Sequence, residues 1–233
     1  MSETPYRRAL IVGAGPGLGA SLARAFAGEC GMRVAVAARR RGPLEAMAVE
    51  TGAVPLVADA SNATAVGALF DAAARALDGA PDVVVYNASQ RVRGPFAEVD
   101  AEAVARAVDV TAIAAFRVAQ QAVRNMLPQR HGAVLFTGAS AGVKGYPQSA
   151  AFAMGKFALR GLAQSMAREL APQGIHVAHV VVDGKIRPAG APGDAQDECL
   201  DPDAIAATYV HLLRQPRSAW SWEIEVRPWI ERF

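Results

Sequence analysis

The chain has 233 residues, 52% hydrophobic but only 6% aromatic, and a formal net charge of +2 at pH 7. That length fits one α/β domain with a large core better than two independent ones, and an apolar fraction rich in Ala and Val suits helices packed on a buried parallel sheet. The charge is too small and its basic residues too dispersed for nucleic-acid binding. No membrane or secretory segment is expected either, because the apolar run after Arg7-Arg8 breaks at once into Gly13-Ala14-Gly15-Pro16-Gly17.

Short β-branched runs alternate with Ala-rich stretches, the pattern of βαβ units. The first strand is expected over Ala9–Val12 and the first helix from Leu18. Between them lies a glycine-rich turn with the spacing Gly13-x-x-x-Gly17-x-Gly19. Glycines there permit a tight turn and let backbone N–H groups approach a pyrophosphate at the helix N-terminus. Taken alone, such a turn also reads as purely structural, and Leu18 stands where the common G-x-G-x-x-G pattern has its last glycine.

The second strand, Val34–Ala37, runs into Ala38-Arg39-Arg40-Arg41 without a carboxylate. An Asp or Glu at this place would favour the free ribose 2′-OH of NAD, whereas Arg39 suits a charge-assisted contact with the 2′-phosphate of NADP. NADP(H) is therefore expected over NAD(H), with a solvated basic loop as the alternative.

Further strands are expected over Val54–Val57, Val83–Tyr86, Ala133–Thr137, His176–Val182 and Glu223–Val226, with helices starting near Pro43, Asn62, Asp100, Ser149 and Asp203. Together they predict a single domain over 1–233: a doubly wound, Rossmann-like α/β fold whose seven-stranded, mostly parallel sheet carries helices on both faces. Residues 187–202, with Pro188, Gly190, Pro192 and Gly193, read as a mobile substrate loop. Its Asp194, Asp197, Glu198 and Asp201 argue mildly against a strongly anionic substrate.

Cys30 and Cys199 form no paired motif, which suggests a reducing cytoplasm. No metal site is expected, since His176 and His179 point to opposite faces of a strand. Trp220, Trp222 and Trp229 crowd the last strand and suggest burial against another subunit, with packing inside the chain as the competing explanation.

Gly13, Gly17 and Gly19, Asp59 after the third strand, Asn87-Ala88-Ser89 after the fourth, and Lys156 on an Ala-rich helix resemble the short-chain dehydrogenase/reductase family nearly end to end. The resemblance implies cofactor contacts from Gly13, Gly17, Leu18 and Gly19, from Arg39, from Asp59 and Ala60, and from Asn87 and Ala88. Lys156, Gly184 and Ile186 would serve the nicotinamide end. A small-molecule substrate and a homodimer or homotetramer are implied as well.

In such proteins a Tyr gives the proton, a Lys lowers its pKa and holds the ribose, a Ser orients the carbonyl and an Asn supports a relay water. The corresponding residues here are Phe152, Lys156, Ala139 and Asp109. A phenyl ring cannot transfer a proton. Substitutes are Tyr146, in the loop before the Phe152 helix, and Ser140, beside Ala139; Lys144 has the weaker claim. Asp109 is expected to pair with Lys156 and anchor the ribose side of the pocket. Two functions follow: an NADP(H)-dependent oxidoreductase with a non-standard site, reducing a carbonyl or an activated double bond, or a catalytically silent dinucleotide-binding sensor, scaffold or partner subunit.

Overall fold

The computed structural model describes residues 4–192, 194 and 196–231. Residues 1–3, 232 and 233, at the ends of the expected domain, and Gly193, in the expected loop, lie outside the described residues. Seven strands form one sheet: β1 (Arg8–Val12), β2 (Arg33–Ala38), β3 (Val54–Val57), β4 (Val83–Tyr86), β5 (Gly132–Thr137), β6 (Ile175–Val182) and β7 (Glu223–Val226). They run in the order β3-β2-β1-β4-β5-β6-β7, and every pairing is parallel.

The helices are α1 (Leu18–Gly28), α2 (Arg41–Thr51), α3 (Ala63–Leu77), α4 (Ala101–Val108), α5 (Ala114–Met126), α6 (Ala150–Leu170) and α7 (Pro202–Arg214). Strand side chains alternate between two cores, as a period of two requires. Ala9 and Ile11 of β1 join Leu22 and Phe26 of α1, Leu44 of α2 and Tyr209 of α7. Leu10 and Val12 face the other way, onto Phe70 of α3, Val118 of α5 and Leu159 of α6. Each fully buried side chain of this kind contributes roughly 1.5–3 kcal/mol by leaving water, which is why both faces of β1 are apolar throughout.

Local chemistry sets the helix ends. The Asn62 side chain accepts the Thr64 and Ala65 N–H groups at 2.9 and 3.1 Å to start α3, and Asp100 and Asp201 cap α4 and α7 in the same manner. In contrast, α1 begins at Gly17 with no side-chain cap, so its first N–H groups face the end of the sheet. The chain turns outward in opposite directions from β1 to β2 and from β1 to β4, which opens a crevice at the carboxyl ends of these strands.

The expected helix from Asp100 is one continuous run with a π-helical turn at Asp109–Ile113, where the Ala114 N–H reaches back to the Asp109 carbonyl. Two of the three tryptophans make the contacts within the chain that the competing explanation gives. Trp220 stacks on His176 with ring centroids 4.7 Å apart, and Trp222 packs against the α3–α5–α6 core, because the edge strand β7 folds both back onto β6. Trp229 alone is largely exposed, at 79%.

Candidate active site

The crevice holds a cleft of about 1040 Å³. It is lined by Pro16, Gly17 and Leu18 at the start of α1 and by residues at the ends of β4, β5 and β6. Gly13 has φ +85°, and a Cβ there would lie 2.4 Å from the Ala88 backbone nitrogen, so only glycine fits. Gly19 is equally constrained, because a Cβ on it would come within 2.9 Å of Ala14 Cα. By contrast, a Cβ on Gly15 or Gly17 would meet no protein atom within 4 Å, which leaves open space over the uncapped start of α1. That cradle fits a pyrophosphate. Asn87 ties the β4 end to the turn by donating its side-chain N–H to the Gly13 carbonyl at 3.0 Å, and Ala88 packs beside it.

At the far end of the cradle, Arg39 is exposed just past β2. Asp59 follows β3, where its carboxylate accepts from the Ser61 hydroxyl and N–H at 2.7 and 3.0 Å; these bonds, helped by Arg39, hold its pKa below the usual carboxylate range. Ala60 is half-buried beside it.

The opposite end is built by α6. Lys156 is 2% exposed, and its amino group donates to the Thr137 carbonyl at 2.6 Å. Burial pulls its pKa down to about 7, with the Arg91 charge adding to the effect. Phe152, one turn earlier on the same face of α6, packs with Ala139 and Ala141 in a small apolar cluster. The place expected to hold a phenol and a hydroxyl is thus filled by ring and methyl carbon. Ser140 opens a short turn next to it and lines the cleft.

Tyr146 also lines this cleft and is 44% exposed. The Lys144 ammonium lies 5.7 Å from its ring centroid, and the Tyr146 side chain and Asp183 together raise the Lys144 pKa. Lys144 also lies 3.5 Å from Asp183. Gly184, at φ +146°, fits under Pro228, and Ile186 forms an isolated parallel bridge with Leu200 that draws together the two ends of the expected loop. Arg187 reinforces that closure with an ion pair to Asp201 at 2.7 Å.

Asp109 corrects one expectation. Its carboxylate pairs with Arg117 at 3.1 Å, not with Lys156, and Arg117 also donates to the Ser61 carbonyl at 2.8 Å. The π turn is the reason. It buries Thr111 completely against Gly155 and the Gln90 N–H, which leaves Asp109 on the half-exposed side, where an ion pair costs less desolvation.

Sequence reasoning missed two features. Arg91 places its guanidinium carbon 4.3 Å from the Phe152 ring centroid. Beneath the cleft, His179 donates through Nδ1 to Glu223 at 2.9 Å, and Glu223 takes both guanidinium nitrogens of Arg160 at 2.7 Å. Burial tends to raise the Glu223 pKa, but those donors outweigh it and leave it lowered. A Cβ at Gly138 would touch His179, so this network shapes the strand end that carries Ala139.

A seven-stranded parallel sheet with a glycine turn at its switch point, and a large cleft that receives a buried lysine, has the architecture of a doubly wound dinucleotide-binding fold. A sequence profile described as short chain dehydrogenase matches residues 7–187, and the chain belongs to the short-chain dehydrogenase/reductase family. It is 35% identical to D-erythrulose reductase of Gallus gallus over 173 residues, 73% of this chain and 68% of that protein. A crystal structure of a short-chain dehydrogenase from Rhodopseudomonas palustris superposes with a TM-score of 0.80 at 33% identity, covering 97% of this chain and 100% of the other. A metagenomic short-chain oxidoreductase in complex with NADP gives a TM-score of 0.83 at 26% identity over 97% and 98% of the two chains.

Proposed function

We propose that this protein is an NADP(H)-dependent reductase of a carbonyl or an activated double bond whose proton comes from Tyr146. The observation that carries this reading is that a half-exposed phenol, Tyr146, lines the same cleft as Lys156, with the Lys144 ammonium 5.7 Å from its ring centroid. The cofactor reading is supported by Arg39 at the end of β2, where no carboxylate stands to repel a 2′-phosphate.

A dinucleotide held by the Gly13–Gly19 turn and Arg39 would supply hydride to the substrate. Lys156, fixed by the Thr137 carbonyl, presents donors to the ribose end of the cradle. Tyr146 gives its hydroxyl proton to the substrate, and the Lys144 ammonium stabilises the phenolate left behind; exposure to water lets the phenol be reprotonated. Ser140 is positioned to orient the acceptor, while Asp109 acts from outside the cleft through Arg117. Half-exposed Cys30 and Cys199 remain free thiols, in keeping with a reducing cytoplasm. Phe116 on α5 and Phe157 on α6, each nearly half exposed, support a homo-oligomer.

The apolar contact of Phe152 with Ala139 favours a second reading, a dinucleotide binder without turnover. NADPH fluorescence titration, followed by NADPH oxidation with ketones, quinones and enoyl thioesters, tests the two. Binding tighter than that of NADH together with turnover is expected; tight binding without turnover on any of them supports the silent binder.

A further inference from the structure

The mechanism above leaves a set of cations in the cleft unused. Arg91 and Arg93, two residues apart in the loop after β4, both line it, while Val92 between them turns into a neighbouring apolar groove. The Phe152 ring backs the Arg91 guanidinium at 4.3 Å, and Lys156 approaches the same ring at 5.7 Å. Such contacts fix a cation without neutralising it.

Nothing among the described residues forms an ion pair with Arg91 or Arg93. Of the two carboxylates on the cleft wall, Asp183 and Glu231, Asp183 is engaged by Lys144 and Arg227 at 3.5 and 3.7 Å. Burial and then the Arg93 charge lower the Arg91 pKa, and the Arg91 charge adds to burial in lowering that of Lys156. Two of the four acidic loop residues that argued against an anionic ligand are engaged elsewhere. Asp194 accepts the Cys199 N–H at 2.7 Å, and Asp201 caps α7 and binds Arg187. Like charges that face one space and have no ion pair repel each other, and a bound anion relieves that repulsion.

We propose that Arg91, assisted by Arg93, binds a carboxylate carried beside the reducible bond, so that the substrate class is an oxo acid or an unsaturated acid and not a neutral ketone. A guanidinium fork matches a carboxylate in two parallel hydrogen bonds. Its seat on Phe152 places that group next to the position where the family resemblance puts proton transfer. This inference rests on the reductase reading above.

Calorimetric titration of the NADPH-loaded chain with oxamate, a non-reducible carboxylate, and oxamide, its neutral counterpart, tests the assignment. Oxamate is expected to bind roughly 30-fold more tightly, and Arg91→Gln to remove that margin while NADPH affinity stays unchanged. Equal binding of the two probes, or an unchanged margin in Arg91→Gln, would overturn it. So would a loss of NADPH affinity in Arg91→Gln with the margin intact, since the arginine would then serve the dinucleotide. Inorganic phosphate binding more tightly than oxamate contradicts the carboxylate assignment. Failure of the wild-type chain to bind NADPH sinks the reductase reading and this inference together; intact NADPH binding without an oxamate margin sinks this inference alone.

Discussion

Lys156 carries its amino group into a surround of carbon with the Thr137 carbonyl as acceptor, and its folded pKa of about 7 lies far below its ordinary value. Above about pH 10.4 the unfolded lysine is neutral as well and burial costs nothing. As pH falls from there toward 7, the unfolded chain takes up the proton and the fold does not, so stability declines by at most about 1.4 kcal/mol per pH unit. Urea midpoints should therefore rise between pH 7 and 9.5 in the wild type, and rise less in Lys156→Met; parallel slopes would remove the buried-lysine account. Lys156 was legible because it stands four residues after Phe152 on an Ala-rich helix. Arg91 was not, because its contact with Phe152 depends on the path of an irregular loop. Asp109 was misplaced for a different reason: the π turn that starts at it carries Thr111 inward in its stead, and residue composition does not announce such a turn.

The glycine turn and α1 show which part of an element the sequence specifies. Gly13 and Gly19 are fixed by close approach, to Ala88 and Ala14 respectively, whereas Gly15 has open space above it. Gly13→Ala combines a positive φ with a backbone clash and should cost about 2 kcal/mol or more in urea unfolding. Gly15→Ala should stay within about 0.5 kcal/mol of wild type, and its effect should appear in NADPH affinity, where the added methyl enters the cradle. Equal destabilisation by both would show that the turn is structural only. Strand positions were legible nearly to the residue because burial on both faces demands unbroken apolar runs. The β7 environment was harder to read. Aromatic residues beside an edge strand suit a partner subunit or the chain itself, and the stacking of Trp220 on His176 is a contact of the second kind.

Across the whole molecule, the strand order with its switch between β1 and β4 places the cradle, Lys156 and Tyr146 along one cleft, although they lie far apart in sequence. Alternating elements and right-handed crossovers made that arrangement foreseeable, since few topologies satisfy both. Charge distribution in the cleft was not foreseeable, because it depends on which ionic groups are already paired. Under the proposed function, the proton donor has moved from position 152 to Tyr146 while the dinucleotide site is kept. NADPH oxidation rates for wild type, Tyr146→Phe and Phe152→Tyr on one substrate panel test it most directly. Tyr146→Phe should lose roughly 10²–10⁴-fold in kcat with NADPH binding unchanged, and Phe152→Tyr should gain reduction of simple ketones. Full activity in Tyr146→Phe would contradict the claim.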